Sequence, residues 1–377
     1  MDGKLAVIGL GSIGSMALWQ ASRLSDSVTG FEAATPAHGR SAVGGDTRLF
    51  RMIYRGNPDL YPILERSRSL WAELEAETGQ NILTRCGGLS IGTKDGAYLS
   101  ALLETTRTNG AEHEILSREA MAERYPQHNL REDDIAVYDP NAGALRTDRA
   151  VTAAVAAAQA NGATVQTNTP IDSITETGDG VVITSGEKSW TFENVIVSSG
   201  GWSQKLMPDY LKAATQTKRI FLSWFVARDG AEFTPEKFPT FSRMYEDRSM
   251  YGAPAVDGVT VKATLDGRGK PTPDPGAVPR ELTVAEITET TETVTEFFPG
   301  LYPNIVRTDA FPDLFTKDGH PLLGRINEGS RIYCATGFSG GGFKNATGFG
   351  EIAAYEALRK RSFEGLDFVR PQRFAMS

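Results

Sequence analysis

Three glycines near the N-terminus, Gly9, Gly11 and Gly14 in the run GLGSIG, have the G-x-G-x-x-G spacing of a nucleotide phosphate loop. In that role the first makes a tight turn, the second lets backbone approach a pyrophosphate, and the third lets a helix pack closely on a strand. Ser12 and Ile13 would then present backbone N–H groups at a helix N-terminus, where anions are favoured. Glu32 stands 18 residues after Gly14, at the end of the next strand-like run. A carboxylate there can accept hydrogen bonds from the ribose hydroxyls of an unphosphorylated adenosine. Glycine spacing alone is a weak signal. Strand, loop, helix and acid in register make it a dinucleotide site, for NAD or FAD.

A second glycine loop, GFSGGGFKNATGFGE, runs from Gly337 to Glu351. Between the two loops, DTRLFR sets Arg48 and Arg51 three apart. An arginine alone is ordinarily a solvated surface charge, but Leu49 and Phe50 between these two turn at least one inward. A guanidinium fork suits a bidentate grip on a carboxylate. Lys262 ends the alternating apolar run GVTVK, which on spacing alone is a lysine on the polar face of a strand. Asp266 follows in LDGRG, a turn that its carboxylate could cap. The four histidines are scattered and form no metal-ligand spacing, so no metal is expected. His38, His113 and His128 read as loop or surface residues, and His320 as packing near the C-terminal strand. There is no G-x-S-x-G for a serine hydrolase. Cys86 and Cys334 are too few for a disulfide framework and read as ordinary buried thiols.

The elements that must carry these residues follow from periodicity. Residues 4–8, 27–33, 87–92 and 195–200 read as strands, as do the runs TVQTNT, IDSITE and GVVITS. Residues 12–24, 61–79, 95–109, 117–125, 282–298 and about 345–361 read as helices. An alanine-rich helix spans 147–161, with Thr147 or Asp148 as its cap. Residues 218–262 look aromatic and antiparallel, and DGRGKPTPDPGAVPREL is a Pro/Gly loop. Alternating strands and helices at both ends, around a β-rich middle, predict an α/β protein with an α+β second domain. The expected division is a discontinuous Rossmann-like domain, 1–85, 145–217 and 320–377, and an inserted antiparallel-sheet substrate domain, 86–144 and 218–319.

With 377 residues, 40% of them hydrophobic, the chain can bury the core of two domains. A net charge of −8 argues against a nucleic-acid partner. The start MDGKLAVIGLGS does not read as a signal peptide, and no run of apolar residues is long enough to span a membrane, so a reducing cytoplasm is the expected compartment.

Three stretches in order resemble the sarcosine oxidase and N-methyltryptophan oxidase family within the D-amino-acid-oxidase-like flavoproteins: SAVGGDTRLFR, VIVSSGGW and ATGFSGGGFKNATGFGE. The resemblance runs over nearly the whole chain. It implies one FAD held by both glycine loops, with Arg40, Ser41, Thr47 and Arg48 in the first stretch, and Ser199, Gly200 and Trp202 in the second. In the third, Gly340, Gly341, Gly342, Phe343 and Lys344 would sit at the flavin ring. Arg51 and Lys344 match the positions that grip a substrate carboxylate, with Gly341 beside them, and Arg48 matches an arginine close to the flavin. Lys262 matches the lysine that supports reaction with oxygen.

Two departures stand out. Relatives often attach their flavin through a cysteine, yet DAFPDLFTKDGH contains none, and Phe311 or Asp313 occupies that place. The FAD is therefore expected to be non-covalent. Asp266 stands where sarcosine-oxidising members carry histidine and fructosyl amino acid oxidases carry an acid. It either accepts hydrogen bonds from the substrate's sugar hydroxyls or amine, or merely caps its turn.

The reaction so implied is oxidation of a secondary, N-methyl or N-fructosyl amino acid by O2, releasing H2O2, by a protein expected to be a monomer. Substrate choice would be shaped around Trp224, Phe241 and Tyr251. The alternatives are an FAD dehydrogenase feeding a protein or quinone acceptor, a D-amino-acid-type oxidase, or a non-enzymatic dinucleotide-binding protein.

Overall fold

The computed structural model describes residues 1–55, 58–267 and 269–375. Its first sheet is built around the buried strand Gly3–Ile8, flanked in parallel by Val28–Phe31 and by the long strand Lys188–Val197. Thr164–Gln166 continues it in parallel beyond Val28–Phe31. Ile332–Thr336 joins the far half of Lys188–Val197 in parallel and turns back antiparallel through Leu322–Arg325. The antiparallel ribbon Ser173–Glu176 and Val181–Ser185 closes the other end.

Parallel strands need covering on both faces, and the central stretches Leu5–Ile8, Val195–Val197 and Ile332–Ala335 are apolar and buried. The helix Ser12–Ser22 is buried along nearly its whole length. It is packed by Thr147–Ala160 and Ala346–Ala357, whose small residues let the axes approach. A methyl group on Gly350 would lie 2.6 Å from Met16 Cβ, and one on Gly348 would lie 2.6 Å from Ser67 Oγ. These two glycines of the second loop motif serve helix packing, not a phosphate.

The second sheet holds the strands Gly88–Thr93, Glu114–Leu116, Asp134–Asp139, Thr215–Val226, Thr240–Met244, Ser249–Ala253, Thr260–Leu265, Lys270–Pro271 and Arg307–Thr316. It is not purely antiparallel as expected: Thr240–Met244 pairs in parallel with Gly88–Thr93. No hairpin constrains those two strands, because about 150 residues separate them. A three-stranded sheet of Thr47–Phe50, Gly143–Arg146 and Leu83–Thr84 carries the arginine segment.

Several local expectations are corrected. The helix Thr147–Ala160 has Arg146 at its N-cap and no side-chain cap. Thr147 instead donates its backbone N–H to Asp46 O, and its hydroxyl is buried without a partner. The last helix stops at Ala357, and the Pro/Gly loop contains the short strand Lys270–Pro271 and a turn of 3-10 helix. His128 is not at the surface. It is buried inside a cage of Phe238, Phe241 and Phe298, at centroid distances of 4.9–5.7 Å. Burial first, then nearby Arg243, hold its imidazole well below the ordinary pKa, so it is neutral.

Candidate active site

The first glycine loop needs glycine for two different reasons. Gly9 has φ +88°, and a side chain there would meet Ser199 Cα at 2.6 Å. At Gly14 a Cβ would lie 1.8 Å from Gly9 O. Ser198 locks the turn by donating to Gly9 O at 2.9 Å. Gly11 is different: an added Cβ would meet only Val43, at 3.7 Å. Its backbone borders open space at the N-terminus of Ser12–Ser22, where Ser12 and Ile13 line a large cavity. That is the cradle a pyrophosphate requires.

Glu32 ends the neighbouring strand, buried, and its carboxylate accepts from Leu10 N at 2.9 Å and Ala34 N at 3.0 Å. His38 lies 3.5 Å from it, so this loop histidine faces the acid rather than bulk water alone. Burial raises the Glu32 pKa, but His38 and the two backbone donors outweigh it and hold the acid below its ordinary range. An ionised, oriented carboxylate suits ribose hydroxyls.

The cavity beyond Ser12 has a volume of about 660 Å³. It brings together Arg48, Arg51, Gly200, Asp266 and Gly340 to Lys344, from four distant parts of the chain. Arg40 stands exposed on its loop, and Ser41, Thr47, Ser199, Trp202 and Lys262 are not among the cavity-lining residues. Three buried polar atoms without hydrogen-bond partners belong to residues lining this cavity: Arg51 Nε, Tyr54 OH and Asn345 Oδ1. Orphaned buried groups are uncommon in a folded protein, and here they converge on one space.

Arg51 donates to Ser242 Oγ at 2.9 Å, and Tyr98 OH lies 3.2 Å from the same oxygen. Asp139 braces the chain after Arg51 by accepting from Met52 N and Ile53 N. Lys344 lies with Nζ 4.4 Å over the Tyr54 ring, while its carbonyl accepts from Trp71 Nε1 at 3.1 Å. Trp71 also stacks on Phe343, which fixes the loop. Neither Arg51 nor Lys344 has an ion-pair partner among the described residues. Burial, with Arg51 as a second cause, pulls the Lys344 pKa down to about 7.

Two cations clamp one loop: Arg48, which lines the cavity, and Lys262, which does not. Lys262, buried, donates to Gly45 O at 2.5 Å and Thr47 O at 2.7 Å. Arg48 donates to Thr47 O and Ala42 O, each at 2.7 Å. Burial and then Arg48 push the Lys262 pKa well below the lysine norm. Trp224 does not line the cavity but supports Lys262 from 5.2 Å, and Phe241 belongs to the His128 cage. Of the three expected specificity residues only Tyr251 reaches the cavity. In the cysteine-free segment, Phe311 is buried against Gly44 and Gly45, whereas Asp313 faces the cavity. Burial pushes Asp313 up to about 6, against backbone donors from Leu314 and Gly340 and the charge of Arg48. Asp266 accepts from Gly267 N at 2.8 Å, as a residue capping its turn would, and it also lines the cavity.

The family model of FAD dependent oxidoreductases matches residues 4–356. The chain belongs to that family. The fit is physical as well: a pyrophosphate cradle, a ribose acid and a cavity lined by residues with orphaned polar atoms are what an extended dinucleotide requires. This FAD-dependent oxidoreductase is 29% identical over 93% of its length to monomeric sarcosine oxidase from Bacillus sp. (strain B-0618), covering 91% of that protein. It is 28% identical to N-methyl-L-tryptophan oxidase from Yersinia pestis, covering 96% of each chain. Among solved structures, NikD, described as an unusual amino acid oxidase essential for nikkomycin biosynthesis, superposes with a TM-score of 0.86 at 19% identity, over 98% of this chain and 97% of that one. Fructosyl amine: oxygen oxidoreductase (Amadoriase I) from Aspergillus fumigatus does so at 0.80 and 16% identity, over 100% and 91%. At those identities the likeness is one of fold.

Sequence reasoning missed Tyr54, Tyr98, Ser198, Ser242 and Asn345 in this FAD-dependent oxidoreductase. Tyr54 follows Arg51 by three residues and could have been found. Ser242 and Tyr98 could not, because only the second sheet and the helix Ala97–Asn109 carry them to Arg51.

Proposed function

We propose that the chain is an FAD-dependent oxidase of N-substituted amino acids, taking electrons from the C–H bond beside a secondary amine and giving them to O2. The amine loses two electrons and two protons to become an imine, water hydrolyses the imine to an aldehyde and a primary amine, and O2 becomes H2O2. The observation that carries this reading is the pair Arg51 and Lys344. Two cations without carboxylate partners among the described residues share a cavity with the pyrophosphate cradle.

FAD, when bound, supplies the two-electron acceptor. The residues of the chain supply position and charge. Gly9, Gly11, Ser12, Ile13, Gly14 and Glu32 would hold the dinucleotide half, and Ser199, Gly200 and Gly340 to Phe343 the other end. Arg51 and Lys344 would bind the substrate carboxylate, oriented by Ser242, Tyr98 and Trp71. Asp266, on the cavity wall, would accept a hydrogen bond from the N-substituent or its amine. Lys262 would hold a proton at its Nζ when negative charge develops nearby, which favours reaction with oxygen over a dehydrogenase role.

The proposed division into a dinucleotide domain and a substrate domain is supported by the first sheet drawing its strands from 3–31, 164–197 and 322–336. Non-covalent FAD is supported by the lining: Asp313 faces the cavity where a thiol would be needed, and neither Cys86 nor Cys334 lines it.

The test is direct. The purified yellow protein, mixed without air with N-methyl and N-fructosyl amino acids, should bleach with at least one of them. It should recover its colour in air and release peroxide. A flavin that no such amine reduces refutes the reading.

A further inference from the structure

A second chamber of about 720 Å³ adjoins the first. The two share Arg55, Tyr98 and Met244 as common wall. None of the glycine-loop residues lines the second chamber, so the dinucleotide bed does not extend into it. The shared wall is tied to the carboxylate end of the first site: Tyr98 OH meets Ser242 Oγ at 3.2 Å, and Ser242 takes the hydrogen bond from Arg51. Ser242 and Met244 point the same way because they alternate along one strand, while Arg243 between them turns into a buried pair with Asp134. The chamber's near walls, Tyr98, Leu99 and Tyr245, present aromatic and aliphatic surface. Its far end is polar but balanced in charge, since Arg131 holds Asp247 through two hydrogen bonds of 3.0 and 3.1 Å.

We infer that the second chamber is a side-chain subsite, and that the substrate is an N-substituted amino acid with a long side chain of apolar stem and neutral hydrogen-bonding tip. This rests on the reading of the first cavity as the amino-acid site. An amino acid's side chain leaves the carbon that bears the carboxylate, whereas the N-substituent lies one bond further away. With the carboxylate on Arg51 and Lys344, the branch nearest the Tyr98–Met244 wall is therefore the side chain. An apolar stem would lie along Tyr98 and Met244. A charged tip would meet both signs at the far end, but an amide or hydroxyl can donate to Asp247 and accept from Arg131.

The experiment uses the holoenzyme and three amino acids carrying one N-substituent, methyl or fructosyl, whichever is turned over on glycine: glycine, norleucine and glutamine. The expected order in kcat/KM is glutamine over norleucine over glycine, with at least tenfold between the ends. In Ala97→Trp, which would fill the second chamber alone, that advantage should vanish through KM while the glycine substrate is unchanged. Ala97 is surface-exposed, and Glu246→Trp, on an exposed turn of the same chamber, repeats the test at a second position. Equal kcat/KM for all three, or tryptophan variants that slow the glycine and glutamine substrates alike, would overturn the subsite. Norleucine matching or exceeding glutamine would overturn the polar tip. If neither N-substituted glycine, norleucine nor glutamine reduces the flavin, the amino-acid reading itself fails and the subsite falls with it.

Discussion

Carboxylate binding should weaken as pH rises, and Lys344 sets where. Its pKa is held near about 7 by burial and by Arg51, so the free site loses its second cation in the neutral range. A bound carboxylate restores the charge, because an opposite charge about 4 Å away at an effective dielectric of about 20 contributes roughly 4 kcal/mol, or about 3 pKa units. Protonated Lys344 is then the form that binds, and binding above pH 7 takes up a proton. Affinity should be flat just below pH 7 and fall about tenfold per pH unit above it, reaching a loss of about a hundredfold by pH 9. Asp313, on the same cavity, titrates near about 6, so the informative window lies upward of neutrality. The probe is propionate, which carries the carboxylate but no amine to titrate or oxidise. It would be followed by the absorbance change of FAD in the holoenzyme. Lys344→Met should bind weakly with no bend. Arg51→Ala should lose about 2–5 kcal/mol of binding, and should move the bend to higher pH, because one of the two causes of the low pKa is gone. A wild-type profile without a bend, or the same bend in Lys344→Met, would refute the assignment.

Other outcomes follow from the same geometry. Acid precipitation should leave the yellow colour in the supernatant, and flavin that stays in the pellet would mean a covalent link. Lys262→Met should slow reoxidation of the reduced flavin by O2 far more than its reduction by substrate in stopped-flow traces. Equal losses in both half-reactions would make Lys262 only a brace for the carbonyls of Gly45 and Thr47. Glu32→Gln should weaken FAD binding by about 1–3 kcal/mol, the cost of disturbing a buried charged hydrogen-bonding group, as read by release of flavin fluorescence on dilution. His128 stays neutral in its phenylalanine cage. The unfolded chain takes up a proton as pH falls through about 6.5, which the folded state does not, so between pH 7.5 and 5.5 about 1.4 kcal/mol of stability should be lost. In His128→Phe that part of the pH dependence should disappear from urea unfolding curves, and a slope equal to that of the wild type would assign it elsewhere.

What the sequence determined by itself is local. Gly9, Gly11, Gly14 and Glu32 are close in the chain, and turn geometry, helix start and strand end are written in their residue types. The pair Arg48 and Arg51 could be seen because apolar residues separate them. The helices were legible to within a few residues from the 3.6-residue period, though not the cap at Arg146, which depends on Asp46 from another segment. Contact between distant segments was decided by the tertiary structure. Phe311 and Asp313 stand two apart on one strand and share a face, so period and composition cannot say which of them reaches the cavity; the packing of Gly44 and Gly45 against the Phe311 ring decides it. His128 looked like a loop histidine because it sits in a polar stretch. It is buried because phenylalanines from position 238 onward fold over it. The hydrogen-bonded chain from Arg51 through Ser242 to Tyr98 joins three separate elements. No one-dimensional pattern records it, since strand register and helix placement alone bring those side chains within hydrogen-bonding distance.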